Sequence, residues 1–195
     1  MREHYKDEVF YSKLLELNNF KELLDFFVIQ IREICDYDGY YVAMLQDSSE
    51  PSWLKIEKIF LDGPYHSMEQ VLAQSKIQIK NNTILDNVLS KKRAYFLNKQ
   101  SSYKYDEEFE LRFERWEIEE ALLFPLMKEG QEPLGIFLLF ARGKGGLEDK
   151  LPIIEKLVSL FYYPLKHLYD AKRFQELEKN LLQKTRHNQA VMELA

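Results

Sequence analysis

The densest hydrophobic pattern in the chain lies between positions 119 and 142, where two apolar runs flank the polar turn KEGQE at 128–132. Short runs rich in Val, Ile, Leu and Phe around a glycine-containing turn are typical of a hairpin buried in a sheet. Similar runs at 40–45 and 53–60 predict a second hairpin, and 94–97 predicts a further short strand. The pattern therefore predicts an α+β fold with a central antiparallel sheet of about five or six strands.

Helical spacing of apolar residues predicts helices on either side of these strands. The segment 3–17 has a narrow apolar face, which suits pairing with another helix better than burial in a core. Asn19 followed by Glu22 forms a capping-box-like start for a core helix. The apolar stripe of that helix recurs at i, i+3, i+4 and i+7 and consists of Phe20, Leu23, Leu24, Phe27, Val28, Ile31 and Ile34.

Further helices are predicted between the strands. Asn82 is expected to cap a helix that runs to Arg93, and a short helix is expected around 68–74. The segment 98–119 is polar and acidic, but aromatic residues recur in it at helical spacing. They predict a surface helix that presses its rings toward the sheet, with capping of a ligand cavity as the alternative role. The three residues are Phe109, Phe113 and Trp116.

The last helix is predicted to begin near Asp149, with Pro152 in its first turn, and Pro164 is predicted to kink or break it. Its apolar stripe changes face, because nine residues separate Leu165 from Phe174 and about 100° per residue places them on nearly opposite sides. The first part suits packing on its own sheet, and the second suits a short parallel coiled coil with a second copy. The predicted dimer helix carries Phe174, Leu177, Leu181 and Val191.

Composition narrows the class of protein. The net charge of −5 and a pI near 5.5 argue against nucleic-acid binding, and the basic cluster Lys91–Arg93 stands at a predicted helix end, where it compensates the helix dipole. The single cysteine, Cys35, excludes an internal disulfide and suits a reducing compartment; its position on an apolar helix predicts a small buried hydrophobe rather than a nucleophile. Without a long apolar run or a secretion signal, the chain is predicted to be cytoplasmic and to have no membrane partner.

The order of these elements resembles a GAF domain, the small-molecule sensor module related to PAS domains. Three segments carry the resemblance: YYVAMLQD at 40–47, NNTILDNVLSKKRAYFLN at 81–98 and ALLFPLMKEGQEPLGIFLLF at 121–140. It covers roughly 18–170. The most specific part is a strand ending in Pro-Leu, a polar turn and a strand that opens with Gly, represented here by Pro125, Leu126, Gly130 and Gly135.

Departures from the family pattern bear on the ligand. Cyclic-nucleotide-binding members carry an Asn-Lys pair, a Phe and an Asp-Glu pair after the last strand, whereas ARGKGGLEDK at 141–150 lacks the Asn and the Phe. Cys35 lies in the opening helix, which does not fit the cysteine that holds a bilin chromophore. The free methionine sulfoxide reductases, which resemble GAF domains, use several cysteines. With one cysteine, this chain has no resolving thiol for that reaction. The residues therefore identify no cofactor.

The resemblance implies three parts: an N-terminal helix at 1–17, a sensory domain at 18–170 and a signalling helix at 171–195 that enters a coiled coil. The predicted function is a bacterial sensory module that forms a homodimer and relays a small-molecule or conformational signal to an output domain outside this chain, since the chain ends in mid-helix. A ligand-free dimerisation module with a cavity filled by side chains is the alternative. An enzyme is not expected, because no catalytic constellation is evident.

Pocket candidates follow from position in the resembling fold. They lie on the first strand, at the end of the second, in the loop after it, and on the far side of the expected cavity. The candidates are Tyr41, Phe60, Tyr65, His66, Trp116 and Phe124. Each also has an ordinary role as a core or surface residue.

Overall fold

A computed structural model describes residues 2–46, 53–73, 75–99, 107–143 and 146–193. Its strands are β1 (Gly39–Leu45), β2 (Trp53–Leu61), β3 (Lys76–Gln78), β4 (Tyr95–Asn98), β5 (Glu120–Pro125) and β6 (Gly135–Ala141). Its helices are α1 (Arg2–Glu16), α2 (Phe20–Ile34), α3 (Glu69–Leu72), α4 (Ile84–Ser90), α5 (Glu107–Arg115) and α6 (Leu151–Glu193), with 3₁₀ turns at Gly63–Met68 and Glu148–Lys150.

The strands form one antiparallel sheet in the order β3-β2-β1-β6-β5-β4. Strands β1 and β6 lie in the middle, and β6 is buried along its whole length. Their close pairing requires a glycine at Gly135, because a Cβ there would clash with the backbone of Ala43 and lie 2.8 Å from the Met44 Cα. The predicted α+β class with five or six antiparallel strands is confirmed.

The irregular alternation of β2 has a structural cause. Its register against β1 shifts between Val42 and Ala43, which pair with Lys58 and Ile56. The extra residue in β2 is a bulge, and it lets Ile56 and Ile59 share a face although strict alternation would separate them. The strand is therefore continuous despite its imperfect pattern.

The chain divides into two compact units, one formed by Met1–Phe27 with Tyr163–Ala195 and the other by Val28–Tyr162, which contains the sheet. The described residues of the first unit are helical except for the connection at 17–19. Within it, the rings of Phe10 and Phe26 lie 5.5 Å apart and those of Phe20 and Tyr169 lie 5.2 Å apart. Aromatic contacts thus join α1 to α2, and α2 to α6.

Helix α2 begins as predicted, since the Glu22 backbone N–H donates to the Asn19 side chain at 2.8 Å. Helix α4 differs from the prediction. Thr83, with an extended backbone, is its N-cap and accepts from the Asp86 N–H at 3.3 Å, whereas Asn82 has a φ of +63° and lies outside the helix. The helix ends at Ser90, because Lys92 adopts a φ of +52°.

Other boundaries also depart from the predictions. The β5–β6 connection extends beyond the predicted turn at 128–132, since β5 ends at Pro125 and β6 begins at Gly135, and within it the Leu134 N–H donates to the Leu126 carbonyl at 2.9 Å. The short edge strand β3 was not anticipated, because its pattern is too brief to show a period and only its pairing with β2 defines it. The helix expected around 68–74 is present as the single turn α3.

Helix α6 runs for 43 residues and continues through Pro164, so of the two predicted effects the break is wrong and the kink stays a prediction. A proline removes one backbone N–H donor, but the backbone hydrogen bonds of the neighbouring turns are sufficient for the helix to continue past it. The helix begins near the predicted position, with Pro152 in its first turn, where a missing N–H is unimportant. None of the helices in the described part of the chain combines the length and apolar character needed to span a bilayer.

Candidate ligand cavity

The two faces of the sheet bury different sets of side chains. One face, which we call the cavity face, carries Tyr41 and Ala43 of β1 and Phe140 of β6 and packs against α4, α5 and Trp116. The opposite face carries Tyr40, whose ring stacks on Phe60 at 5.8 Å. This division follows from the alternation of side chains along each strand.

A cavity of about 430 Å³ opens on the cavity face near the β2–β3 edge. Its walls combine aromatic, aliphatic and a few polar residues. The lining residues are Tyr41, Trp53, Ile56, Ile59, Met68, Leu72, Ser75, Lys76, Ile77, Gln78, Lys80, Arg115 and Trp116. This volume lies within the range of about 300–1,000 Å³ that is usual for small-molecule sites.

The bulge in β2 builds the floor of the cavity. Ile59 pairs with Tyr41 and Ile56 pairs with Ala43, so both isoleucines face the same side as Tyr41. Without the extra residue, one of them would point to the opposite face. The floor is therefore a consequence of strand pairing.

The end of α5 positions Trp116 in the cavity wall. The Ile118 N–H donates to the Phe113 carbonyl at 2.9 Å, the Glu117 N–H donates to the Glu114 carbonyl at 3.2 Å, and Glu117 has a φ of +53°. This arrangement is a Schellman motif with a glutamate where glycine is usual. It reverses the chain after the helix and places Trp116 against the sheet.

Trp116 is held firmly in this position. Its side chain is 6% exposed, and its ring stacks on Phe140 at 5.9 Å. The indole Nε1 is buried and has no hydrogen-bond acceptor among the described residues. A buried donor without an acceptor is unusual in a folded protein, and it makes this wall sensitive to what occupies the space beside it.

Arg142, immediately after β6, does not line the cavity but forms hydrogen bonds with the backbone of segments beside it. Its Nε donates to the Trp116 carbonyl at 3.1 Å and its Nη2 donates to the Asp62 carbonyl at 2.9 Å. The guanidinium also lies 4.8 Å from the centre of the Tyr65 ring, and the Arg142 backbone N–H donates to Asp38 Oδ2 at 2.6 Å. One side chain thus connects the residue after α5 to the segment after β2.

The structure brings two of the six predicted pocket residues, Tyr41 and Trp116, into the cavity lining. Phe60 and Phe124 lie on the face opposite to the cavity, because side chains alternate between the two faces along β2 and β5. There Phe60 stacks on Tyr40 at 5.8 Å and Phe124 stacks on Phe137 at 6.1 Å. They do not line this cavity.

The other two pocket candidates lie in the 3₁₀ turn after β2. Tyr65 packs against the edge of the core under Arg142, and His66 is exposed and lies 3.1 Å from Glu69 Oε1 through its Nδ1. Neither lines this cavity. The aromatic helix prediction holds for Phe113 and Trp116, which are buried, whereas the Phe109 side chain lies outside the described residues.

Sequence reasoning missed the residues that complete the cavity. Met68 and Ile77 are apolar residues with polar neighbours, Leu72 lies in the short apolar run at 71–73, and Lys76, Lys80 and Arg115 resemble ordinary surface cations. The spacing of Met68 and Leu72 at i and i+4 was the available signal for a shared face.

Cys35 is half-buried rather than fully buried at the end of α2. Burial raises the pKa of its thiol to about 11, a shift that the positive charge of Lys150 partly opposes. A thiol in this state is a poor nucleophile at neutral pH. Within the described residues, no group of three or more His, Cys, Asp or Glu side chains is placed to hold a metal ion.

Comparisons with known proteins identify the fold. No family model and no curated protein matches the sequence. A GAF domain from a phosphoenolpyruvate-protein phosphotransferase of Coxiella burnetii superimposes with a TM-score of 0.63 at 14% identity, covering 85% of this chain and 94% of that chain. The GAF domain/HD domain protein of Geobacter sulfurreducens gives 0.61 at 16% identity, covering 81% and 97%.

A third solved structure, the GAF domain of a two-component sensor histidine kinase from Bacillus halodurans, gives a TM-score of 0.59 at 14% identity, covering 78% of this chain and 97% of that chain. At such identities the likeness establishes the fold. The chain has the GAF fold, as the resemblance in its sequence predicted.

Proposed function

We propose that this chain is a sensory, regulatory part of a bacterial signalling protein in the cytoplasm, and that a small molecule bound in the cavity changes the state of α6. The GAF domains with similar structures include one from a sensor histidine kinase, which supports a signalling role. The proposed parts are the helix at 1–17, the sensory domain at 18–170 and the signalling helix at 171–195, which leads to an output domain. The proposal includes no catalytic step.

The cavity is the observation that carries this proposal. It is large enough for a metabolite, it is lined mainly by aromatic and aliphatic residues, and it has a few polar groups at its rim. Tyr41 and Trp116 are the predicted pocket residues that would contact the ligand. The buried indole N–H of Trp116 is a donor that a ligand could engage after a small movement of the wall.

A short chain of contacts links the cavity wall to the start of α6. Trp116 is bound through its carbonyl to Arg142, which follows β6 directly. Ala141, which precedes Arg142, pairs with Glu120 of β5, and Glu120 Oε2 accepts from the Leu147 N–H at 3.1 Å; the 3₁₀ turn Glu148–Lys150 then leads into α6. A shift of Trp116 on ligand binding would therefore be transmitted to the segment that begins the exit helix.

The second half of α6 supports dimerisation with a second copy. Phe174, Leu177 and Leu181 are 69%, 63% and 67% exposed, and they recur at helical spacing. The fourth predicted dimer residue, Val191, has a side chain outside the described set. Exposed apolar residues along one side of a long helix suit a coiled-coil partner, and we infer a homodimer through this stripe.

Two measurements test the proposal. Thermal-shift screening of the full chain against a metabolite library should find a ligand that raises the melting temperature, since ligand at about 100 times its Kd adds about 2.7 kcal/mol. Light scattering at micromolar concentration should return the mass of a dimer. A monomer at every concentration would overturn the relay, and a library without a stabilising compound would overturn sensing by this cavity.

A ligand-free dimerisation module is the second candidate function. The exposed stripe on α6 favours it, because that stripe would form a dimer whether or not the cavity is occupied. A constitutive dimer with no stabilising ligand would support this function over the first. A dimer whose stability changes with a ligand would support the sensory one.

A further inference from the structure

The charge of the cavity lining is opposite to that of the whole chain. The protein has a net charge of −5, yet the described residues of the lining include three cationic ones, Lys76, Lys80 and Arg115, and no Asp or Glu. In an acidic protein, cations on two sides of a cavity whose described lining has no carboxylate produce a local positive field there. Such a field favours a negatively charged occupant.

The cations stand on two sides of the cavity. On one side, Lys76 is the first residue of the edge strand β3 and Lys80 follows the end of that strand. On the other side, Arg115 is the last residue of α5. Lys76 and Arg115 are exposed, and neither forms an ion pair with any residue in the described part of the chain. Their charges are therefore available to a ligand at the rim.

The apolar lining defines the other end of the ligand. Trp53, Tyr41 and Trp116 provide aromatic surfaces, and Ile56, Ile59 and Leu72 provide aliphatic ones. Aromatic side chains bind planar rings well through stacking and edge contacts. A simple inorganic anion would leave this apolar surface unused.

Building on the proposed function, we propose that the cavity binds an aromatic organic anion, with its ring system against Tyr41 and Trp116 and its anionic group toward Lys76 and Arg115. The anionic group can be a carboxylate, a sulfonate or a phosphate, since all three accept charge-assisted hydrogen bonds from Lys and Arg. Recognition divides into an apolar part that supplies affinity and a charged rim that supplies selectivity.

A matched pair of fluorescent probes tests this assignment. 1-Anilinonaphthalene-8-sulfonate and N-phenyl-1-naphthylamine share the same aromatic body, and only the first carries a negative charge. Titration of the full chain should give saturable binding of both, tighter for the sulfonate. Raising the ionic strength should weaken binding of the sulfonate and leave the affinity of the neutral probe unchanged.

Variants locate the charge and the cavity. The double variant Lys76→Gln/Arg115→Gln should weaken binding of the sulfonate by about five- to thirtyfold. Its dissociation constant for the neutral probe should stay within about twofold of the wild-type value. The control Lys91→Gln/Lys156→Gln removes two exposed lysines outside the cavity lining and should change neither. Leu72→Trp, which narrows the cavity, should weaken both probes, with thermal unfolding used to verify that each variant is folded.

The outcomes separate this inference from the proposed function. Equal binding of both probes, unaffected by the rim substitutions but lost in Leu72→Trp, would overturn the anionic ligand and leave the binding cavity standing. Equal weakening by the rim and control pairs would show a general charge effect and would also overturn the inference. Sulfonate binding that survives Leu72→Trp in a folded protein would place the anion elsewhere, and absence of saturable binding of either probe would overturn the inference, whereas the proposed function is overturned by the metabolite screen and the light scattering.

Discussion

The Nε of Arg142 donates a 3.1 Å hydrogen bond to the carbonyl oxygen of Trp116. This contact joins the residue that follows β6 to a wall of the cavity, although 26 positions separate the two residues in sequence. Because Arg142 also binds the Asp62 carbonyl, it holds the segments after α5 and after β2 in one arrangement. The cavity thus depends on a side chain that does not line it.

Replacement of Arg142 should loosen this arrangement. Arg142→Gln removes two hydrogen bonds to backbone carbonyls and the contact with the Tyr65 ring, so the free energy of unfolding should fall by about 1–3 kcal/mol. Urea denaturation measures the change. Arg93→Gln is the matched control, since Arg93 also lies 4.8 Å from a tyrosine ring, that of Tyr95, but is exposed, and it should cost less than about 1 kcal/mol. Equal costs for the two variants would contradict the bridging role.

The pairing of β1 with β6 should not tolerate a side chain at Gly135. Gly135→Ala places a Cβ against the backbone of Ala43 and Met44, which cannot move without disturbing the sheet, so we expect a loss of about 1–3 kcal/mol or more. Gly143→Ala is the control, because a Cβ there meets nothing within 4 Å. Thermal denaturation of both variants tests this, and a Gly135→Ala protein as stable as wild type would refute the close approach.

The Schellman motif after α5 should be improved by glycine. Glu117 has a φ of +53°, which is strained for a residue with a Cβ, so Glu117→Gly should raise the free energy of unfolding by about 0.5–1 kcal/mol. Glu114→Gly, inside α5, should lower it by about 1 kcal/mol. Chemical denaturation distinguishes the two directions. Destabilisation by both glycines would mean that the backbone at position 117 is not left-handed in solution.

The half-buried thiol of Cys35 should make stability depend on pH in alkaline solution. Burial raises its pKa from the ordinary value of 9.0 to about 11, so the unfolded chain loses its proton first as pH rises. The stabilising contribution is complete below about pH 9 and is lost as pH rises toward 11. Wild type should therefore lose more stability than Cys35→Ser over this interval.

Denaturation of wild type and Cys35→Ser at several pH values measures that difference. Tyr37, whose pKa burial also raises, is present in both proteins and cancels in the comparison. Parallel loss of stability in the two proteins would contradict the raised pKa of the thiol. Rapid alkylation of the folded wild type at neutral pH would contradict it as well.

The exposed stripe on α6 should carry the dimer interface. Leu181→Glu introduces a charge at a position that is 67% exposed, so it should leave folding intact and raise the dimer dissociation constant at least about tenfold, because a buried carboxylate lacks a partner. Gln183→Glu adds the same charge about 200° around the helix and should have little effect. Sedimentation equilibrium measures both constants. Unchanged dimerisation in Leu181→Glu would exclude this stripe as the interface.

Much of the fold could be predicted because its elements carry strong local signals. The stripe of α2, its Asn19 cap and the apolar runs of β1, β5 and β6 each express a period or a cap that neighbouring residues define. Weak elements escaped: β3 has only three residues, and the N-cap of α4 depended on whether Asn82 or Thr83 adopted the extended backbone.

The sequence by itself determined the α+β class, the antiparallel hairpins and the change of apolar face along α6, because these follow from periodicity within a segment. Only the tertiary structure decided where the cavity lies and which residues surround it. Tyr41 and Trp116 come together with Leu72 and Ile77 through strand register, a bulge in β2 and a helix end, none of which a local pattern specifies. The cationic rim emerges for the same reason, since charges distant in sequence meet only when strand pairing and the end of α5 place them around one space.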